Sequence, residues 1–137
     1  VRSKGHNDKG NPWRVAIVEP SDRPGAIEDV VTPSGMAVST AGSYRNYYEL
    51  DGKRYSHIID PATGEPVTHK LVSATVITPT ALEADALDTA LMVMGPERAM
   101  AFAREHKLAV YLIEKTATGF AASHTPEFAP YLVRKQP

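Results

Sequence analysis

The pair Asp51-Gly52 is the feature that most constrains how this chain can fold. Asp-Gly favours a two-residue type I′ hairpin turn, because both central residues of that turn need positive φ. The turn predicts four cross-strand pairs: Leu50 with Lys53, Tyr48 with Tyr55, Asn46 with His57, and Tyr44 with Ile59. Side chains alternate by two along a strand, so these residues share one face. That face is compatible with stacking a planar ligand and equally with covering the core.

Turn residues separate short β-branched runs along the first half of the chain. They predict strands at 1–5, 13–18, 27–32 and 36–40, the first two forming a hairpin around a turn at 7–12. The largely apolar run 71–77 predicts a central strand. Two later strands, at 108–114 and 119–123, precede a short helical turn that starts at Thr125.

Two helices are predicted between these groups of strands. Thr80 and Glu83 form a capping box that begins the first helix, which ends before Gly95-Pro96. A second helix covers 96–106 without an intervening loop. Runs of strands with two consecutive helices indicate an α+β fold, mainly antiparallel sheet, rather than a doubly wound sheet.

Length and composition fit a single domain over residues 1–137. The net charge of −1 gives no reason to expect binding to nucleic acid or anionic membranes. The absence of cysteine excludes disulfides, zinc–thiolate sites and thiol nucleophiles. No apolar run approaches the roughly 20 residues of a membrane span. Because the chain opens without Met, in a strand-like run, we expect a fragment whose upstream part has been removed.

Asp85, Asp88 and Thr89 form a narrow stripe on the first helix, at spacings of three and four. The rest of this helix is apolar nearly all round, which predicts burial. Two buried carboxylates repel each other unless they are paired or coordinate a metal. The stripe therefore suits Mg²⁺ or Ca²⁺, while a solvent-facing stripe or an arginine partner remains an alternative.

His57 stands near the end of the second hairpin strand, before a turn that Asp60-Pro61 opens. It is either a structural histidine bonded to a backbone carbonyl or a general base at the mouth of a site. For Asp60 the structural role, capping backbone N–H groups of the turn, is favoured. The small residues 40–43 leave room for a ligand to approach the backbone.

Three segments in order resemble the FAD:protein FMN transferases, the ApbE family. They are Ser-Thr-Ala-Gly-Ser-Tyr-Arg-Asn-Tyr at 39–47, Ser-His-Ile-Ile-Asp-Pro-x-Thr-Gly-x-Pro at 56–66, and Glu-Ala-Asp-Ala-Leu-x-Thr-Ala at 83–90. The resemblance covers essentially the whole chain but only the C-terminal portion of the family's domain. Ser43 stands where many members carry Asp.

The resemblance implies an enzyme that uses FAD and Mg²⁺ and attaches FMN to a Thr or Ser of an acceptor protein. Asp85, Asp88 and Thr89 match the family's metal-binding motif. Ile59 matches a position that contacts FAD. His57 matches the histidine proposed to deprotonate the acceptor hydroxyl, which puts it beside the flavin cofactor as well.

The same resemblance implies acceptors in membrane redox complexes and a location in the bacterial periplasm or on the outer face of the inner membrane, often as a lipoprotein. Two alternatives stay open: a Mg²⁺-dependent FAD pyrophosphatase that releases FMN and AMP, and a non-catalytic flavin-binding module. Since the family's N-terminal segments are missing from this chain, we expect it alone to bind FAD poorly and to transfer little FMN.

Overall fold

A computed structural model describes residues 1–21, 23–44, 47–51 and 53–133. Within those residues the elements, in chain order, are β1 (Val15–Val18), β2 (Ile27–Val31), β3 (Ala37–Gly42), β4 (Tyr47–Leu50), β5 (Lys53–Ser56), β6 (Leu71–Thr78), α1 (Ala81–Met94), α2 (Pro96–Glu105), β7 (Ala109–Lys115), β8 (Phe120–His124) and a 3₁₀ turn (Ala129–Tyr131).

An antiparallel sheet in the order β3-β6-β7-β8 organises the chain. Helix α1 packs across β3 and β6, and α2 packs against β7. The strands β1 and β2 pair with each other, as do β4 and β5, both antiparallel. The predicted α+β fold, mainly antiparallel with two consecutive helices, is confirmed, and so is the central position of the strand at 71–77.

Strand β6 is buried on both faces, because a separate hydrophobic core lies on each side of the sheet. On the helix side, Val76 packs with Leu91 and Met92 of α1. On the opposite side, Ile77 packs with Val31 and with other residues that include the buried Phe128. A strand covered on both faces reads as a continuous apolar run, which is how it could be recognised from sequence.

Both ends of α1 follow the predicted signals. The Thr80 hydroxyl accepts a hydrogen bond from the Glu83 N–H at 3.2 Å, which caps the first turn. Gly95, with φ of 78°, ends α1, and α2 starts at the next residue. The His69 ring packs against this junction, where a Cβ on Gly95 would lie 3.1 Å from its Cδ2. The junction therefore needs glycine both for its φ and for the space.

The prediction that α1 is buried nearly all round is wrong. Its buried residues are Ala84, Asp88, Leu91 and Met92, whereas Leu82 is 83% exposed. In the described part of the chain the sheet covers one side of the helix. An apolar composition was mistaken for full burial, although small alanines account for much of that composition.

The predicted Asp51 hairpin is correct near its turn. Asp51 has φ of 50°, and the register pairs Leu50 with Lys53 and Tyr48 with Tyr55. The fourth predicted pair is wrong, because Ile59 bridges Pro66 and Tyr44 lies in the turn after β3. Asn46, the predicted partner of His57, lies outside the described residues.

The turn at 60–65 takes the chain out of that register. Asp60 Oδ1 accepts a hydrogen bond from the Ala62 N–H at 2.8 Å, and the Asp60 carbonyl accepts one from the Gly64 N–H at 2.8 Å. The structural role predicted for Asp60 is confirmed.

The predicted N-terminal hairpin is wrong. β1 pairs with β2 instead, while Arg2 forms an isolated bridge to Ala37. The turn at 7–12 exists and is closed by the Asn7 N–H donating to the Asn11 carbonyl at 2.9 Å. None of the helices in the described residues combines the length and the apolar character that crossing a membrane requires.

Candidate functional site

A polar pocket of about 360 Å³, which we call the acid pocket, lies where α1 packs on β3. It is lined by Ala16, Val18, Thr40, Ala41, Gly42, Tyr44, His57, Asp85, Asp88 and Thr89. The predicted stripe on α1 and the predicted base His57 therefore meet in one place, although they are separated in sequence. The small residues at 40–42 form part of the same wall, as their size suggested.

The two carboxylates of the stripe have different environments. Asp88 is 2% exposed, whereas Asp85 and Thr89 are exposed. The Thr89 hydroxyl donates a hydrogen bond to Asp88 Oδ1 at 3.0 Å. The Ser39 hydroxyl donates a longer bond to Asp85 Oδ1 at 3.4 Å. The prediction of two carboxylates buried side by side therefore holds for one of them.

Burial raises the pKa of the Asp88 carboxyl, and the nearby hydroxyls of Ser39 and Thr89 partly oppose this shift. The neighbouring Asp85 carboxylate raises the pKa further by repulsion. The ion pairs found among the described residues include neither aspartate. Asp88 is therefore a buried anion that a positive charge at this position would stabilise.

The donor set of the acid pocket fits a hard divalent cation. Two carboxylates and the Thr89 hydroxyl offer oxygen ligands, as Mg²⁺ prefers. In the described ranges, no three His, Cys, Asp or Glu side chains are grouped closely enough to hold a metal ion by themselves. Mg²⁺ commonly binds one or two carboxylates and takes its other ligands from water and substrate phosphates.

His57 is exposed at the edge of this pocket, between the buried residues Ser56 and Ile58. The Ser56 hydroxyl accepts a hydrogen bond from the Ile58 N–H at 3.1 Å, which fixes the backbone on both sides of the histidine. Ile59 is 47% exposed and does not line the acid pocket. Its contact with FAD stays a prediction.

Two further residues contribute to this pocket in ways that the sequence did not indicate, although both stand in the segment 39–47 and Tyr44 was placed on the face compatible with a planar ligand. Ser39 reaches the carboxylates from a strand 46 positions earlier, and no local pattern indicates such a contact. Tyr44 packs on Gly42, where a Cβ would lie 2.6 Å from the ring atom Cε1. Glycine at position 42 is what allows the tyrosine ring to form this wall.

A second, larger pocket of about 500 Å³ also borders Tyr44, and we call it the loop pocket. It is lined by Pro20, Ser21, Ser43, Tyr44, Tyr55, Ser56, Pro66, Val67, Thr68, His69, Val72, Lys115 and Phe120. Tyr44 is the residue that both pockets share.

A model of the ApbE family matches residues 1–112 of this chain. The chain belongs to the ApbE family. Its fold is similar to the flavin transferase ApbE from Vibrio cholerae, with 44% identity and a TM-score of 0.83 over 96% of this chain and 41% of that one. An ApbE protein from Thermotoga maritima, 29% identical, gives a TM-score of 0.81 over 97% and 42%.

Curated ApbE relatives are also similar over nearly the whole chain. A Klebsiella pneumoniae protein named FAD:protein FMN transferase is 60% identical over 96% of this chain and 37% of its own length. An Escherichia coli K12 protein of the same name is 55% identical over 99% and 39%. The family resemblance is confirmed, and the chain spans about two fifths of the length of these relatives.

Proposed function

We propose that this chain supplies the metal-binding carboxylates and the base of an enzyme that transfers FMN from FAD to a hydroxyl of an acceptor protein. The observation that carries the proposal is the acid pocket, which brings His57 together with Asp85, Asp88 and Thr89. Relatives named FAD:protein FMN transferase support the choice of substrate. The flavin donor and the acceptor would both have to reach this pocket.

The proposed reaction breaks one bond of the pyrophosphate and forms one phosphoester. A Thr or Ser hydroxyl of the acceptor attacks the phosphorus of the FMN half, and the bond to the bridging oxygen breaks. AMP leaves with that oxygen, FMN remains on the acceptor oxygen, and the hydroxyl proton passes to His57 and then to solvent. No oxidant or reductant is needed.

His57 is suited to the proton-transfer role because it is exposed at the pocket edge on a backbone that Ser56 fixes. A neutral hydroxyl is a poor nucleophile, so a base beside it accelerates the attack. The resemblance points to Mg²⁺, which when bound to Asp85, Asp88 and Thr89 would supply charge stabilisation to the phosphates. These three residues would hold the ion and leave the rest of the pocket open to the substrates.

Hydrolysis is the second candidate function, because Asp85, Thr89 and His57 are exposed and water reaches them. The same pocket would then activate water in place of the acceptor hydroxyl and release FMN and AMP. The membrane redox complex as acceptor and the periplasmic location remain predictions from the resemblance.

The test uses this chain alone and a chimaera in which it replaces the matching segment of the Klebsiella pneumoniae relative. The substrate is an acceptor protein that this relative modifies, incubated with FAD and Mg²⁺. Intact mass spectrometry measures FMN attachment, and chromatography measures AMP. We expect the acceptor incubated with the chimaera to gain one FMN, and the chain alone to show little FAD binding or transfer.

The His57→Ala chimaera is the variant that matters most, with the unmodified relative as the positive control. If the His57→Ala chimaera still binds FAD but no longer attaches FMN to the acceptor, the role of His57 is supported. If the unsubstituted chimaera releases AMP without attaching FMN to the acceptor, the hydrolase is established in place of the transferase. FAD binding without either product would leave a flavin-binding module. Unchanged transfer by the His57→Ala variant would contradict the assignment of the base.

A further inference from the structure

The loop pocket takes no part in the proposed reaction, although it adjoins the acid pocket across Tyr44. Its volume of about 500 Å³ lies within the range of roughly 300–1,000 Å³ that is usual for ligand sites. We infer that the loop pocket binds the segment of the acceptor protein that flanks the modified Thr or Ser, with Lys115 facing an acidic residue of that segment. This inference rests on the proposed function.

Position is the first argument. The attacking hydroxyl has to enter the acid pocket, so the chain on at least one side of it must lie over the neighbouring surface. Tyr44 borders both pockets, which makes the loop pocket the adjacent concavity. Residues seated there would hold the hydroxyl near His57, and such positioning accounts for much of the rate of a two-substrate reaction.

The lining suits a peptide. Tyr55 and Phe120 offer aromatic surface, and Ser43 and Thr68 offer hydroxyls that both donate and accept hydrogen bonds. A peptide presents the same mixture, with side chains of either character and an N–H and a carbonyl at nearly every residue. Aromatic side chains with adaptable hydroxyls are also common at protein-binding surfaces.

Lys115 gives the pocket its charge. It is exposed at the end of β7, and the ion pairs of the described residues do not include it. Lys70, by contrast, lies 2.9 Å from a Glu114 oxygen and 3.4 Å from a Glu97 oxygen. Lys70 is thus already neutralised, whereas Lys115 attracts an acidic group of an occupant. One lysine is a weak site for a dianionic phosphate, which favours a carboxylate.

His69 holds one wall of the loop pocket in place. Its Nε2 donates a hydrogen bond to the Met92 carbonyl oxygen at 2.7 Å, since a carbonyl only accepts. Its Nδ1 is buried and has no partner among the described groups, so the peptide contacts of this pocket fall to the other lining residues.

The test measures binding separately from chemistry. The probe is a fluorescent peptide of the acceptor that the Klebsiella pneumoniae relative modifies, extending six residues on each side of the modified residue. Anisotropy gives its dissociation constant for the protein and for the chimaera. We expect Lys115→Glu to weaken peptide binding by about tenfold, the scale of one screened charge pair, and to leave FAD binding by the chimaera within about twofold.

A charge swap makes the test specific. A peptide whose acidic residues are replaced by lysine is expected to bind the wild type weakly and the Lys115→Glu variant about tenfold more tightly. Lys107→Glu is the matched control. It makes the same charge change before the opposite end of β7 and does not line the loop pocket. It should leave peptide binding unchanged.

The outcomes separate this inference from the proposed function. If FMN is transferred but peptide binding is the same in the wild type and in Lys115→Glu, the inference is overturned and the proposed transferase activity stands. Lys115-dependent peptide binding without FMN transfer would support the pocket and overturn the reaction. Displacement of the peptide by AMP, with AMP binding lost in Lys115→Glu, would identify a nucleotide site instead and overturn the inference.

Discussion

The acid pocket and the loop pocket differ in the kind of structure that builds them. The polar groups of the acid pocket stand mainly on regular elements: the two aspartates on α1, and Thr40 on β3. The loop pocket draws much of its lining from connections, among them 66–69 and the turn at 43–44. Groups that must be placed precisely are better held by helices and strands, whereas loops can vary with the partner.

The two pockets also differ in their charge. The acid pocket concentrates negative charge around the buried Asp88, without an ion pair in the described residues. The loop pocket carries Lys115 and a set of neutral hydroxyls and rings. We have proposed chemistry for the acid pocket and recognition for the loop pocket, and four substitutions test that division and the structure behind it.

Asp85→Ala in the chimaera is expected to have the largest effect. Removing one of two carboxylates from the acid pocket should lower AMP release by about 100-fold or more, since lost transition-state stabilisation of this kind is large. Peptide binding in the loop pocket should stay within about twofold, because the exposed Asp85 does not line it. An equal loss of AMP release and of peptide binding would contradict the division of roles between the two pockets.

His69→Leu comes next, because it removes the donor that satisfies the Met92 carbonyl near the end of α1. We expect the free energy of unfolding of the protein to fall by about 2 kcal/mol, measured with denaturant. His69→Gln keeps a donor and should recover part of the loss. Equal destabilisation by both variants would show that packing against Gly95, rather than the hydrogen bond, links the loop to the helix.

Gly42→Ala should affect both pockets at once. The new Cβ would lie 2.6 Å from the Tyr44 ring, so the shared wall must move. We expect AMP release and peptide affinity each to fall by about tenfold in the chimaera, less than a full 1 Å misplacement of reacting groups can cost. In a Tyr44→Ala background the same change should have no further effect. An effect confined to one pocket would show that the wall is not shared.

Asp88→Asn should have the smallest effect, and it should stabilise the protein. Unfolded, this carboxyl titrates near its ordinary value of 3.8, and folding raises its pKa. Below the unfolded value the carboxyl is protonated in both states and costs nothing, and the penalty grows as the pH rises from the unfolded to the folded value and is constant above it. We expect a gain of about 1 kcal/mol at pH 7 with a chelator present, typical in size for a single substitution.

That gain should shrink as the pH is lowered toward the unfolded value, where Asp88 is protonated in both states. Chemical denaturation at several pH values measures it. Asp85→Asn, at an exposed position, is the matched control and should gain less. With saturating Mg²⁺ the wild type should become more stable than either variant, because the wild type alone keeps both carboxylates and is stabilised by the ion. A gain in the free energy of unfolding that does not change with pH would show that the Asp88 charge is not its source.

The elements that the sequence predicted well carry local signals. The Thr80 cap and the Gly95 stop define α1, and Asp51 defines the hairpin turn. The acid pocket could be predicted in part, because its aspartates repeat at helical spacing. Their partner Ser39 could not be, since the contact crosses 46 residues and depends on how α1 packs on β3.

Errors arose where distant segments decide the outcome. The N-terminal run failed to pair with 13–18 because β2 takes that position, and pairing between strands is set by the whole sheet. The burial of α1 was overestimated because a helix's own composition does not say how many of its sides are covered. The hairpin prediction placed Tyr44 and Tyr55 on one ligand-compatible face, but the rest of the loop pocket could not be predicted, since its lining extends from Pro20 to Phe120 without any periodic pattern.

The position of Tyr44 on Gly42 has a thermodynamic consequence. If a ligand in one pocket displaces this ring, the space in the other pocket changes, and binding at the two pockets is then linked. If flavin binding shifts the affinity for the acceptor segment by some factor, the acceptor segment must shift the affinity for flavin by the same factor. One side chain would then make each substrate a regulator of the other's binding, whichever of them binds first.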